Sequence, residues 1–395
     1  MHNPLPRRLS AAVEAVHTPA FVLDHARLES SLRAIRALLD PLGCRLLYSL
    51  KALPLASLLR TLSQGIHGVS VSSPFEMQLA QQVLGDVSVH FTAPGLRPSD
   101  IRQVAAGCDY IACNSWNQYV QLRGWGDASL GMRVNVGIDF VGDPRCAPCR
   151  KHSKLGIASD TLDMWWLKGK DLSELEGLHI HHNSSSRKWS QLADAVDLTV
   201  ARVARVLPRL RWLNLGGGYL FERATGVEDL ATSVAKLREV HGLEVFMEPG
   251  AALAAPAGFL VASVVDLFES DGLTVAVLDT SINHHPNVFA YRYSPRVLNA
   301  TRGGSLAYLL AGCSCLAGDG FGIHRFRNPL ELGSRIVFPS TGAYTLAKAN
   351  MFNGIPLPTI YDLRADGTLS LRSACRFEHF SSIFDGEGPA VDAPS

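Results

Sequence analysis

Lys51 stands among apolar neighbours in LLYSLKAL, residues 46–53. An ammonium in a dry interior needs a carboxylate or a covalent partner; the plainer reading is a strand that ends at the surface with its lysine in water. Further along, His179 and His181 alternate in GLHIHH, three glycines fill LNLGGGY at 216–218, and Glu248 follows LEVFM. Taken singly, His181 reads as a satisfied core histidine, the glycines as a tight turn and Glu248 as a surface acid. Taken together they are an amine, open backbone N–H groups suited to an anion, a flat imidazole and a carboxylate.

What would bring them together is a barrel. Short apolar runs that read as buried strands begin near Cys44, His67, Val87, Cys108, Leu130, Gly177, Leu210 and Leu243. Segments with helical spacing, such as PFEMQLAQQVLG and VEDLATSVAKLREVHG, lie between most of them. Alternation of this kind predicts a parallel (β/α)8 barrel, with its active site at the carboxyl ends of the strands. Those ends carry Lys51, Ser72, Ser73, Asn114, Arg133, Asn135, His179, His181, Gly216 to Gly218, Glu248 and Gly250. The longest gap, GIDFVGDPRCAPCRKHSKLG, reads as an active-site loop.

After about residue 255 the texture turns strand-like, and YDLRADGTLSLRS reads as a hairpin turning at Asp366-Gly367. The expected division is an N-terminal segment 1–25 joining the β domain, a barrel over 26–255, a C-terminal β domain over 256–385 and a disordered tail over 386–395.

Composition narrows the partners. The chain has 395 residues, 47% hydrophobic and 18% charged, with 37 basic against 36 acidic side chains. That balance removes the electrostatic case for nucleic acid or an acidic membrane. No apolar run approaches a membrane span, so the expected location is the cytoplasm. Eight cysteines without a small-domain framework read as reduced thiols. Cys146/Cys149 and Cys313/Cys315 invite zinc, but neither pair has a zinc knuckle's context, and no metal is expected.

Pyridoxal phosphate requires the set of groups at the strand ends: an amine for a Schiff base, donors for the phosphate, a face for the ring and a charged partner for the ring nitrogen. The stretches YSLKAL, HIHHNSSS, LNLGGGY, MEPGAAL, GCSCLAGDG and STGAYTLAKANMFNGIPLP together resemble the fold-type III pyridoxal-phosphate decarboxylases. The resemblance runs from about residue 18 to 380. Within that group CLAGD, GAYT, MFNGIPLP and DPRCAPCRKHSKLGI are most similar to the carboxynorspermidine/carboxyspermidine decarboxylases.

The resemblance implies a homodimer with shared active sites that removes the α-carboxylate of a basic or long amino acid, as in polyamine biosynthesis. Lys51 would hold the cofactor as a Schiff base, and His181 would stack on its ring. Ser184, Gly216, Gly217, Gly218, Gly250 and Tyr344 would take the phosphate, with Arg133 beside them on the rim, and Glu248 would hold the ring nitrogen. Cys315 would return the proton, and Asp319 and Asn287 would meet the substrate. Glu248 favours decarboxylation over racemisation, because racemases of this fold carry an arginine at the ring nitrogen.

The chain departs from its look-alikes at Ser70, Ala251 and Ser334, and at Asn287 and Ala290, where the norspermidine-type enzymes usually carry acids. Other readings therefore stay open: a tailoring decarboxylase with a changed substrate, a racemase or epimerase, or a decarboxylase-like binding protein without catalysis.

Overall fold

The computed structural model describes residues 7–138, 140–301 and 303–384; the tail assigned from Gly386 lies outside them. The described residues form two compact units, one of Glu29–Leu253 and one that joins those up to Leu28 to those from Ala254.

The first unit is a closed barrel of eight parallel strands: β1 (Arg45–Ser49), β2 (Gly68–Val71), β3 (Ser88–Phe91), β4 (Tyr110–Cys113), β5 (Ser129–Asn135), β6 (Leu175–Ile180), β7 (Trp212–Asn214) and β8 (Glu244–Met247). Each pairs with the next, and β8 returns to β1 with Phe246 opposite Arg45. Leu46, Leu47 and Tyr48 of β1 are all fully buried, as required of a strand with packing on both faces. A two-residue strand, Ile157–Ala158, adds to the end of β5.

Leu47, Ala112, Trp212 and Phe246 of the barrel strands form one buried cluster with Tyr110, on which the His90 ring also packs. The Trp212 indole takes the place of side chains at Gly131 and Gly177; a Cβ on Gly177 would fall 2.0 Å from the ring.

The strand ends are held by local capping. Ser73 accepts from the Glu76 N–H at 3.2 Å, and Glu76 accepts from the Ser72 N–H at 2.6 Å. Ser115 and Gln118 repeat the device after β4, where Gln118 accepts from the Asn114 N–H at 2.7 Å. Each pair satisfies amide donors that a helix start leaves free.

In the second unit the long strand Gly258–Ser270 pairs with Ala20–Asp24, Leu273–Leu278 and Arg335–Pro339. Ala20–Asp24 also pairs with Thr359–Leu363, which forms a hairpin with Leu369–Ser373. Val22, Phe259, Val261, Val337 and Tyr361 belong to one core cluster of this unit, and Leu260, Leu278, Leu310, Phe321 and Phe338 to another. Asp24 is wholly buried and receives two hydrogen bonds from Arg8, at 2.7 and 2.8 Å. No helix among the described residues is long and apolar enough to cross a membrane.

Candidate active site

Lys51 sits on a 3-10 turn, Leu50–Ala52, directly after β1. That turn is pressed against the end of β8. The Ser49 N–H donates to the Pro249 carbonyl at 3.4 Å, and a Cβ on Gly250 would meet the Ala52 Cβ at 2.8 Å. Glycine at 250 therefore lets the lysine turn and the Glu248 turn approach. The Lys51 ammonium lies within electrostatic reach of Glu248, His181 and Glu76.

Glu248 is 3% exposed. Burial by itself disfavours its charge, but the His179 imidazole, the other groups around it and the Lys51 field prevail, holding the carboxyl well below its usual range. His179 Nε2 lies 3.1 Å from Oε1, and Asn214 Nδ2 donates to Oε2 at 3.2 Å. An ionised carboxylate only accepts, so His179 carries its proton on Nε2.

His181 is in a different state. Its Nδ1 accepts from the Gly217 N–H at 3.2 Å, so that nitrogen bears no proton, and its 3.7 Å separation from Glu248 is not a hydrogen bond. Burial pushes its pKa down to about 3, which keeps the ring neutral.

The glycine turn links these groups. Gly216 and Gly218 have φ of +70° and +89°, and a Cβ on either would lie within 2.4 Å of a backbone oxygen; only glycine adopts this path without strain. The Gly216 N–H donates to Asn214 Oδ1 at 2.8 Å, and the Gly216 carbonyl accepts from the Glu248 N–H at 2.8 Å. Asn214 thus ties the turn to the carboxylate from its two ends.

Arg133, on β5, is buried, which lowers its pKa against the raising influence of the Glu248 charge. Ser184 follows β6, its N–H donating to Asn183 Oδ1 at 3.0 Å. Asn114 grips the long excursion after β5, donating to the Lys154 carbonyl at 2.9 Å and accepting from the Gly156 N–H at 2.7 Å. In the same excursion the buried Cys149 thiol lies 3.9 Å from the His181 carbonyl oxygen.

The barrel therefore brings together Lys51, Arg133, His181, Glu248, Gly216 to Gly218 and Gly250. Ser184 lies in the same unit, and Tyr344, Cys315, Asp319 and Asn287 belong to the β-rich unit. There Lys348 bridges two of them: its Nζ donates to Asn287 Oδ1 at 3.1 Å and lies 5.5 Å from the centre of the Tyr344 ring. Tyr344 has φ +55°, unusual for a bulky residue. Cys315 is exposed and Asp319 buried on one loop.

Two groups that act on Glu248 were given no role from the sequence: His179 was expected only as one of the strand-end residues, and Asn214 was not expected at all. His179 shares a strand face with His181, two residues on, a signal that was legible. Asn214 has no local signal; it stands opposite His179 only through the pairing of β6 with β7. Among the described residues His179, His181 and Glu248 are also the one group whose donor atoms could meet on a metal, but the Gly217 N–H already occupies His181 Nδ1.

The donor set fits pyridoxal phosphate: a buried carboxylate that stays ionised, a neutral imidazole of fixed orientation, and a lysine beside both. Comparison with known proteins agrees. The family profile described as the pyridoxal binding domain of pyridoxal-dependent decarboxylases matches residues 25–255. The chain is 31% identical to a carboxyaminopropylagmatine decarboxylase of Synechocystis over 93% of its own length and 95% of the relative's. It is 30% identical to a carboxynorspermidine/carboxyspermidine decarboxylase of Herminiimonas arsenicoxydans, covering 93% and 99%. The crystal structure of a carboxynorspermidine decarboxylase from Campylobacter jejuni, complexed with norspermidine, superimposes with a TM-score of 0.84 at 27% identity, covering 93% of this chain and all of the other. A profile that spans the whole barrel, and relatives that match nearly end to end, make this chain a member of the pyridoxal-dependent decarboxylases, a carboxy-lyase that works with pyridoxal phosphate.

Proposed function

We propose that the chain decarboxylates a long, basic amino acid of the carboxylated-polyamine kind, as a cytoplasmic homodimer with shared active sites. The observation that carries this reading is the buried, ionised Glu248 beside Lys51. Lys51 anchors the cofactor covalently, and His181 lies against its ring. Glu248 holds a proton on the ring nitrogen. Ser184, the Gly216 to Gly218 turn, Gly250 and Tyr344 receive the phosphate, with Arg133 beside them. When bound, the cofactor supplies a ring that accepts the electron pair left as CO2 departs. Cys315 then returns a proton to the α-carbon, a task suited to a thiol.

Relatives that act on carboxynorspermidine, carboxyspermidine and carboxyaminopropylagmatine support the substrate class. One observation favours a second reading. Asn287 is neutral and bonded to the Lys348 ammonium, whereas a distal substrate amine would look for an acid; a relative with a changed substrate fits that exchange.

The test is CO2 release from carboxynorspermidine, carboxyspermidine, carboxyaminopropylagmatine and a panel of L- and D-amino acids. Release from one of the three polyamine acids is expected. Release only from an uncharged-tailed amino acid would replace the substrate assignment, and α-proton exchange without CO2 would replace the reaction. Borohydride should fix the cofactor on Lys51 in the wild type and not in Lys51→Ala.

A further inference from the structure

The loop Gly312–Asp319, which carries Cys315, is closed on itself by Asp319. Asp319 is 6% exposed, and its carboxylate is engaged within the unit. Oδ1 accepts from the Ile282 N–H at 2.6 Å, and Oδ2 accepts from the Ser314 N–H at 3.0 Å and from the Ser314 hydroxyl. The Asp319 backbone adds two bonds, from its N–H to the Leu316 carbonyl at 2.8 Å and from the Gly312 N–H to its carbonyl at 2.9 Å. A side chain at 312 would collide with the carboxylate, 2.0 Å from a Cβ placed there.

The second clamp comes from Asn353, whose Oδ1 accepts from the Cys315 N–H at 2.8 Å. Asn353 has φ +58°, a left-handed conformation that asparagine tolerates better than most residues. The Ser314 hydroxyl also accepts from the Leu316 N–H at 3.3 Å. The residues on both sides of Cys315, and its own amide, are therefore fixed, while the cysteine itself is exposed.

We propose that Asp319 and Asn353 are positioning residues that aim the Cys315 thiol, and that Asp319 is not a substrate contact. This rests on the reading of Cys315 as the proton donor. In that step the α-carbon forms a C–H bond with the thiol proton, and the thiolate left behind regains a proton from water. A misaimed thiol lets the proton go instead to the cofactor carbon that was the aldehyde; water then releases an aldehyde product and the pyridoxamine form of the cofactor. Aim is thus readable as a ratio of products.

The test uses the holoenzyme with carboxynorspermidine and the variants Asp319→Asn, Asn353→Gly and Cys315→Ala. Asp319→Asn would set an amide N–H₂ against backbone donors; glycine at 353 keeps the backbone path and removes the acceptor. Both should raise the aldehyde fraction by about threefold or more while KM stays within about twofold, the pattern of a lost transition-state interaction. Both should also change the rate at which iodoacetamide alkylates Cys315, followed by peptide mass, by about threefold or more. A KM raised about tenfold in Asp319→Asn with product ratio and alkylation unchanged would overturn the proposal in favour of a substrate contact. An unchanged product ratio in Cys315→Ala refutes the donor reading instead, and the alkylation rates still decide the positioning claim. Should Asp319→Asn fail to fold, Asn353→Gly alone decides: wild-type alkylation there sinks the proposal.

Discussion

His179 Nε2 stands 3.1 Å from Glu248 Oε1, with both side chains almost fully buried. This pair, rather than the lysine, sets the electrostatic character of the site, because a buried carboxylate keeps its charge only while donors surround it. Replacing His179 with Phe removes one of them. A hydrogen bond to a charged group is worth about 1.5–3 kcal/mol, so cofactor affinity at pH 7 should fall roughly 10- to 100-fold. His179→Gln can restore an N–H and should recover much of the loss. Equilibrium dialysis of the cofactor, compared at pH 6 and 8, checks this; equal affinities for wild type and His179→Phe would remove His179 from the site.

Buried histidines should make the protein acid-sensitive. Burial holds His90 and His181 at about 3, and His182, His284 and His285 at about 4. A pKa lowered on folding means the unfolded state binds more protons, so the stability is complete above about pH 6.5 and is lost as pH falls towards those values. Each such histidine contributes up to about 2 kcal/mol of loss between pH 6.5 and 5. Glu248 acts with the same sign but further into acid, its contribution disappearing as pH falls through its own depressed value. Urea midpoints at pH 7, 6 and 5 should fall steeply, and less steeply in His90→Gln. Identical slopes would refute the assignment for His90.

Packing around Trp212 in the barrel gives a sharper stability test. Gly177→Ala puts a methyl group into the Trp212 ring. Overpacking of this kind typically costs 1–3 kcal/mol, and about 2 kcal/mol or more is expected here because the obstacle is a large, fully packed ring. Trp212→Phe in the same background should recover part of the loss. Chemical denaturation measures both; a neutral Gly177→Ala would mean that the ring can swing aside.

In the other unit Arg8 neutralises Asp24, which has no solvent exposure. Arg8→Met leaves that charge to the longer 3.6 Å contact with Arg27, at a cost of about 2–4 kcal/mol, and Asp24→Asn should relieve most of it. A double-mutant cycle on thermal unfolding checks the coupling, which should exceed about 1 kcal/mol.

All eight barrel strands were legible, because runs such as LLYSL at 46–50 carry apolar residues on both faces and lead into a polar one. The convergence that makes the candidate site was legible only where a side chain sits at a strand end in the chain's own order, as for Lys51, His181 and Glu248. What required the structure was register. Asn214 becomes a partner of Glu248 by standing opposite His179 across two strands, and Asp319 finds Ile282 across 37 residues of chain. Spacing along a sequence carries no record of such pairings. The same holds for the π-helical turn Lys236–Val240, which continues the segment read as one helix from Val227.

The triple-glycine turn has a further consequence. Of its three amides, Gly216 serves Asn214 and Gly217 serves His181, so an arriving anion finds two of the three already engaged. If the phosphate is received at this turn, as proposed, it would have to share those donors, and the Lys51 linkage would then supply most of the hold on the cofactor. On that placement the apoenzyme would exchange free phosphate readily, whereas the loaded enzyme would release its cofactor slowly.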